Sequence, residues 1–188
     1  MEKNLLDTVD ELRRMSEAEL ANVAEDGLTS RLRAQAGHAR DKYRGLRPSN
    51  LGAFLADSEF IRYPTRLVLE FGEMGTHQFA HPEPDIRNPG GVMLYLRPIL
   101  GKHPDYLVRA VSYMIPVINF GKIISDDHCL IYGAALLGLD VGAYYDAICE
   151  LADFVGAEPA EHPAPVNPSQ NPSTPTCGHN CHCAGQST

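Results

Sequence analysis

Two groups of side chains in this 188-residue chain have the types and spacing to hold a metal ion. Cys177, His179, Cys181, His182 and Cys183 fall within seven residues near the C-terminus. Thiolate and imidazole are the donors that select zinc and copper(I) over magnesium or calcium. Gly178 and Gly185 leave the backbone free to wrap an ion. The spacing is not that of paired zinc-finger knuckles, so the segment reads as a self-contained chelator, not as a fold nucleus.

The second group lies mid-chain. Tyr63, Arg66, Glu70, Glu73, His77 and His81 recur at spacings of three and four, which on a helix between Pro64 and Pro82 makes one stripe. Leu67, Val68, Leu69, Phe71, Met74 and Phe79 cover most of the remaining circumference and predict a buried helix. Buried carboxylates and imidazoles must be paired or ligating. Glu70, Glu73, His77 and His81 are therefore candidate ligands. Asp126, Asp127 and His128, at a helix start, or Glu150, would face them across a bundle. With Asp127 or His128 completing the set, such a site would hold iron or zinc and activate water or dioxygen. The competing reading of the stripe is a network of paired charges. Its spacing departs from the Glu-x-x-His of di-iron bundles, since Glu73 and His77 are four apart and no second copy exists. It also lacks the glutamate of zinc proteases between His77 and His81.

Two resemblances attach to these residues. Cys177-Gly178-His179-Asn180-Cys181-His182-Cys183 is similar to the Cys-Gly-His, Cys-x-Cys end of small bacterial zinc metallothioneins. That resemblance implies zinc, copper or cadmium held through Cys177, His179, Cys181 and Cys183; the further cysteines of a multi-metal cluster are absent. The stretch from His103-Pro104-Asp105 to Gly138-Leu139-Asp140 resembles all-α alkylhydroperoxidase D-like proteins, with a Pro-led helix, a later His-bearing helix and a closing Gly-Leu. Their Cys-x-x-Cys is missing, since Cys129 stands alone beside His128, so their redox chemistry is not implied.

The elements that must position these residues read as helices. Leu5, Leu6, Val9 and Leu12 mark a first short helix. Ser16 and Glu19 form a capping box for a second that ends at Gly27. A third, basic helix runs from Thr29 or Ser30 to about Gly45. A short one follows at Leu51 to Ala56. Val92 to Leu100 fits either a strand or a helix interrupted by Pro98. Asp105 to Ile124 is a core helix that Pro116 must kink or split. Ser125 caps a helix ending at Gly138, whose Gly133, Ala134 and Ala135 permit close packing, and Val141 to Val155 is the last. Cys129 and Cys149 read as buried thiols. The expected fold is all-α: a compact multi-helix bundle over residues 1–156, a disordered Pro-rich linker over 157–176, and the Cys/His tail over 177–188.

Composition narrows the function. A net charge of -8 argues against broad nucleic-acid binding. The basic residues Arg31, Arg33, Arg40, Lys42, Arg44 and Arg47 read as one side of an acidic–basic hairpin. No apolar run approaches the ~20 residues of a membrane span. The opening Met-Glu-Lys-Asn lacks a secretory pattern, and the clustered, odd-numbered thiols suit a reducing cytoplasm. Three readings remain. One is a metal-handling protein whose tail binds zinc or copper. Another is a metal-dependent oxidoreductase with a Glu/His site in the body. The third is a helical interaction module whose loop, His81 to Gly91, contacts a partner. A homo-oligomer or a protein partner is compatible with each.

Overall fold

The computed structural model describes residues 13, 15–75 and 78–157. The body is mostly helical, as expected, but it carries a small mixed sheet where the central helix was expected. The helices are α1 (Glu17–Tyr43), α2 (Leu51–Leu55), α3 (Pro104–Phe120), α4 (Asp126–Leu137) and α5 (Val141–Gly156). The strands are β1 (Thr65–Val68), β2 (Ala80–Pro84) and β3 (Val92–Leu96).

Helix α1 begins at the predicted capping box, with Ser16 and Glu19 bonding reciprocally. It then runs through Gly27, joining two expected helices into one. Gly27 does not take the left-handed conformation that ends a helix, and the break falls instead at Arg44 and Gly45, with φ of 53° and 84°. Helix α3 is likewise continuous through Pro116, which lies buried inside it. It stops at Gly121, where φ is 64°. The buried side chain of Asn119 ties this end to the preceding chain. Its Oδ1 accepts from Arg62 N–H at 2.8 Å, and its Nδ2 donates to Phe60 C=O at 2.7 Å.

Helix α4 is the centre of the helical layer, packing against α1, α3 and α5. Its Gly133 and Ala134 sit in that interior, beside Tyr144 of α5, and Tyr132, Leu136, Leu151 and Val155 fill out the same continuous core. The sheet has the order β1-β3-β2, with β1 parallel and β2 antiparallel to β3. One face, carrying Ala80, Leu94 and Leu96, is buried, and the sheet packs on α3. The register places Arg66, Val68, Met93, Tyr95, His81 and Glu83 together on the other face.

The Pro64–Pro82 helix is thus corrected to a strand, a turn-rich loop and a second strand. The reason is local. Leu67-Val68-Leu69 is a short apolar run between Arg66 and Glu70 that fits a strand as well as a helix, and β-branched Thr65 and Val68 suit a strand. Gly72 then takes φ of 54°, and a Cβ there would lie 3.0 Å from the Tyr95 ring. The turn therefore needs a glycine on both conformational and steric grounds. Met74 N–H bonds to Phe71 C=O and Gln78 N–H to Gly75 C=O, so the segment closes on itself instead of continuing a helix.

Candidate functional site

The structure disperses the predicted body site. Glu70 and Glu73 are exposed on the loop after β1, not buried on a helix. His81 is half-buried on β2, opposite Tyr95. Asp127 is exposed in the first turn of α4. Glu150 faces α3, where it accepts from Tyr106 Oη at 3.0 Å and Arg109 Nη1 at 3.1 Å. His77 lies outside the described residues, as do Cys177, His179, Cys181, His182 and Cys183. Among the described residues, no three or more His, Cys, Asp or Glu side chains converge to hold a metal ion. Glu70, Glu73, His81, Asp127 and His128 therefore do not form the expected inward stripe.

His128 alone among these is buried, at 1% exposure. It is the third residue of α4, and its ring completes a capping box in which histidine replaces the usual glutamate. Ser125 N–H donates to His128 Nδ1 at 3.2 Å, and Ser125 Oγ lies 2.8 Å from the same nitrogen. A ring nitrogen that accepts an amide hydrogen carries none of its own, so in the neutral ring the proton sits on Nε2. Nε2 faces Glu25 Oε1 of α1 at 3.2 Å, within ion-pair range but off hydrogen-bond alignment. The line Glu25–His128–Ser125 resembles a nucleophile–base–acid relay in its order of contacts. However, Ser125 Oγ also receives the His128 amide at 3.4 Å. The arrangement satisfies the helix start and sets the His128 ring against Glu25 of α1. Ser125-x-x-His128 was visible in the sequence as a cap; Glu25 was not, because it arrives from another helix.

Cys129 is equally buried, and burial first, then Asp126, pushes its thiol up to about 12. It is a packing residue, not a nucleophile. Cys149, expected to be buried, is instead exposed on α5, because its position falls off the inward stripe of Tyr144, Ile148, Leu151 and Val155.

A polar cleft lies between the start of α3 and α5. It encloses about 350 Å³ and is lined by Lys102, His103, Asp105, Tyr106, Arg109 and Glu150. Arg109 stacks 5.3 Å over the Tyr106 ring, and its charge is engaged by Glu150. The hydrogen bond to Glu150 is the main cause raising the Tyr106 hydroxyl above its usual range, so Tyr106 stays protonated there. His103 packs edge-on against Phe154 at 4.7 Å, in the last turn of α5. No local pattern signals this cleft, since Tyr106 and Arg109 meet Glu150 from a helix some forty positions away.

Arg97 is the other residue missed. It is 3% exposed and donates through Nε to Gln78 C=O at 2.9 Å and through Nη2 to Gly75 C=O at 2.8 Å. Its guanidinium lies 5.1 Å over Phe71. It thereby pins both sides of the loop that holds Glu73 and, in sequence, His77.

Fold and site together define a helical protein with a three-stranded sheet and a capped, buried histidine. No protein-family model matches the chain, and no curated protein or solved structure matches it.

Proposed function

We propose that the protein handles a soft metal ion, zinc or copper(I), through Cys177, His179, Cys181, His182 and Cys183, with the helical body as its carrier. The observation behind this reading is the density of donors: five thiol or imidazole groups in seven residues. Exposed free thiols in such a cluster are otherwise a liability. Zinc would take four of the donors in a tetrahedron, and copper(I) would favour the thiolates. Thiols that bind metal in their free form point to a reducing compartment such as the cytoplasm. The body's carboxylates and histidines, dispersed as described, give no matching support for an oxidoreductase.

The test is metal content and competition titration of the intact chain beside the variant with Cys177, Cys181 and Cys183 all changed to serine. The intact chain should take up zinc or copper(I) stoichiometrically, and the variant should lose it, because hydroxyls are poor ligands for soft ions. Equal uptake by both proteins, or none by either, would overturn the proposal.

A further inference from the structure

We infer that the protein forms a two-fold dimer by joining β1 to β1 of a second copy, edge to edge. The argument starts from which backbone groups the sheet leaves unused. In a parallel ladder, alternate residues turn both N–H and C=O toward the neighbour. Val92 N–H donates to Pro64 C=O at 2.8 Å, and the register pairs Thr65 with Val92. Arg66 and Val68 therefore point their backbone groups at β3, while Thr65 and Leu67, and by the same alternation Leu69 just past the strand, point theirs outward. The order β1-β3-β2 leaves that side without a strand. Among the described residues, no backbone hydrogen bond outside the ladder involves Thr65 to Leu69.

The opposite edge is built differently. Val92 and Leu94 are used toward β1, so Met93 and Tyr95 bond to β2, where their partners are Glu83 and His81. The outward positions of β2 are then Ala80, Pro82 and Pro84. The two prolines have no N–H to offer, which blunts this edge against pairing. One edge of the sheet is closed and the other is open.

The open edge is self-complementary. Arg66-Leu67-Val68-Leu69-Glu70 reads the same in both directions by hydropathy, with opposite charges at its ends. A two-fold axis at Val68 sets Val68 against Val68 of the partner subunit. It sets Leu67 against Leu69 of the partner subunit, and Arg66 against Glu70 of the partner subunit, each twice. The Leu67–Leu69 pairs are those whose N–H and C=O point outward, so this register makes hydrogen-bonded pairs where donors and acceptors exist. It also covers Leu69, which is 45% exposed. Arg66 and Glu70 are both exposed and have no salt-bridge partner among the described residues. Shifting the axis to Leu67 or Leu69 keeps the hydrogen bonds but loses the charge match. The combined sheet would have six strands and end at a proline-bearing β2 on each side, which makes the assembly a closed pair and not a fibre.

Sedimentation velocity of the full chain, reduced and with chelator so that tail thiols cannot bridge molecules, tests this. The chain should dimerise at micromolar concentration. R66E and E70R should each raise the dissociation constant about tenfold, since each sets like charges opposite one another twice. The double variant R66E/E70R should return it to within about threefold of the original. L69P removes an outward N–H that the monomer does not use, and should give a monomer with an unchanged helical circular-dichroism spectrum. A monomer at every concentration, or a dimer indifferent to the charge swaps, would overturn the proposal. The charge-swap rescue decides the matter even if L69P fails to fold.

Discussion

Gly133 of α4 lies directly beneath the ring of Tyr144 of α5. A Cβ at Gly133 would overlap Cε1, Cζ and Oη of that ring. Tyr144 cannot retreat, because it is fully buried and its hydroxyl donates to Arg109 C=O at 2.9 Å. This contact fixes the distance between α4 and α5 and, through Arg109, the wall of the charged cleft. Gly133→Ala should therefore cost about 3 kcal/mol through overpacking. Gly27→Ala, in the interior of α1 with open space around it, should instead stabilise by about 0.5–1 kcal/mol, because it removes only backbone freedom from the unfolded chain. Chemical denaturation of both variants checks the opposite signs.

Acid should loosen the α1–α2 junction through Asp57. The Lys42 ammonium bonds Asp57 Oδ2 at 2.7 Å, the Glu59 amide bonds Oδ1 at 3.0 Å, and Tyr43 Oη donates to Oδ2 at 2.8 Å. Led by Lys42, these hold the carboxyl down from 3.8 to about 2. A carboxyl depressed on folding stabilises the native state above its unfolded value and loses that contribution as pH falls through its folded one. The stability from Asp57 is therefore present above about pH 4 and is lost toward pH 2. Asp57→Asn should flatten the denaturation midpoint against pH in that window, and an unchanged slope would exclude this origin.

The two body cysteines should separate cleanly by reactivity. Thiolate is the reacting form, and Cys129 is buried, with its thiol raised to about 12. Cys149 stands exposed on α5. With the three tail cysteines changed to serine, iodoacetamide at neutral pH should add to Cys149 in the native protein and to Cys129 only after unfolding, as read by intact mass and peptide mapping. Native labelling of Cys129 would show that α4 opens readily.

The helices were legible in the sequence where a capping pair or an apolar stripe stood alone, as at Ser16 with Glu19 and at Ser125. The sheet was not, and the ambiguity has a specific cause. Arg66 and Glu70 are four residues apart, and four is both about one helical turn and two strand repeats. Either structure puts them on one face, so the stripe could not tell them apart. Gly72 carried the decisive information, since the left-handed turn it takes ends either element. Gly27 shows the converse, as a glycine that looked like a helix end but has no left-handed turn. The contacts of Glu25 with His128, and of Arg97 with Gly75 and Gln78, join distant parts of the chain that no local pattern connects.

The tail should bind metal as an independent chelator. Ligation requires thiolate, so binding must release protons and weaken as pH falls. A peptide of residues 172–188 contains every proposed donor and should bind zinc or copper(I) about as tightly as the intact chain, measured against a competing indicator. It should also show the same pH dependence. Metal should leave the melting of the body almost unchanged, because a ligand stabilises a fold only by binding its native state better than its unfolded one. If the intact chain binds tenfold more tightly, a difference of ~1.4 kcal/mol, the body supplies a ligand. The geometry then singles out His103, which packs on Phe154 close to where α5 gives way to the tail. His103→Ala would remove the excess affinity and leave the peptide's own affinity behind, whereas changing His81, on the sheet face turned away from α3, would not.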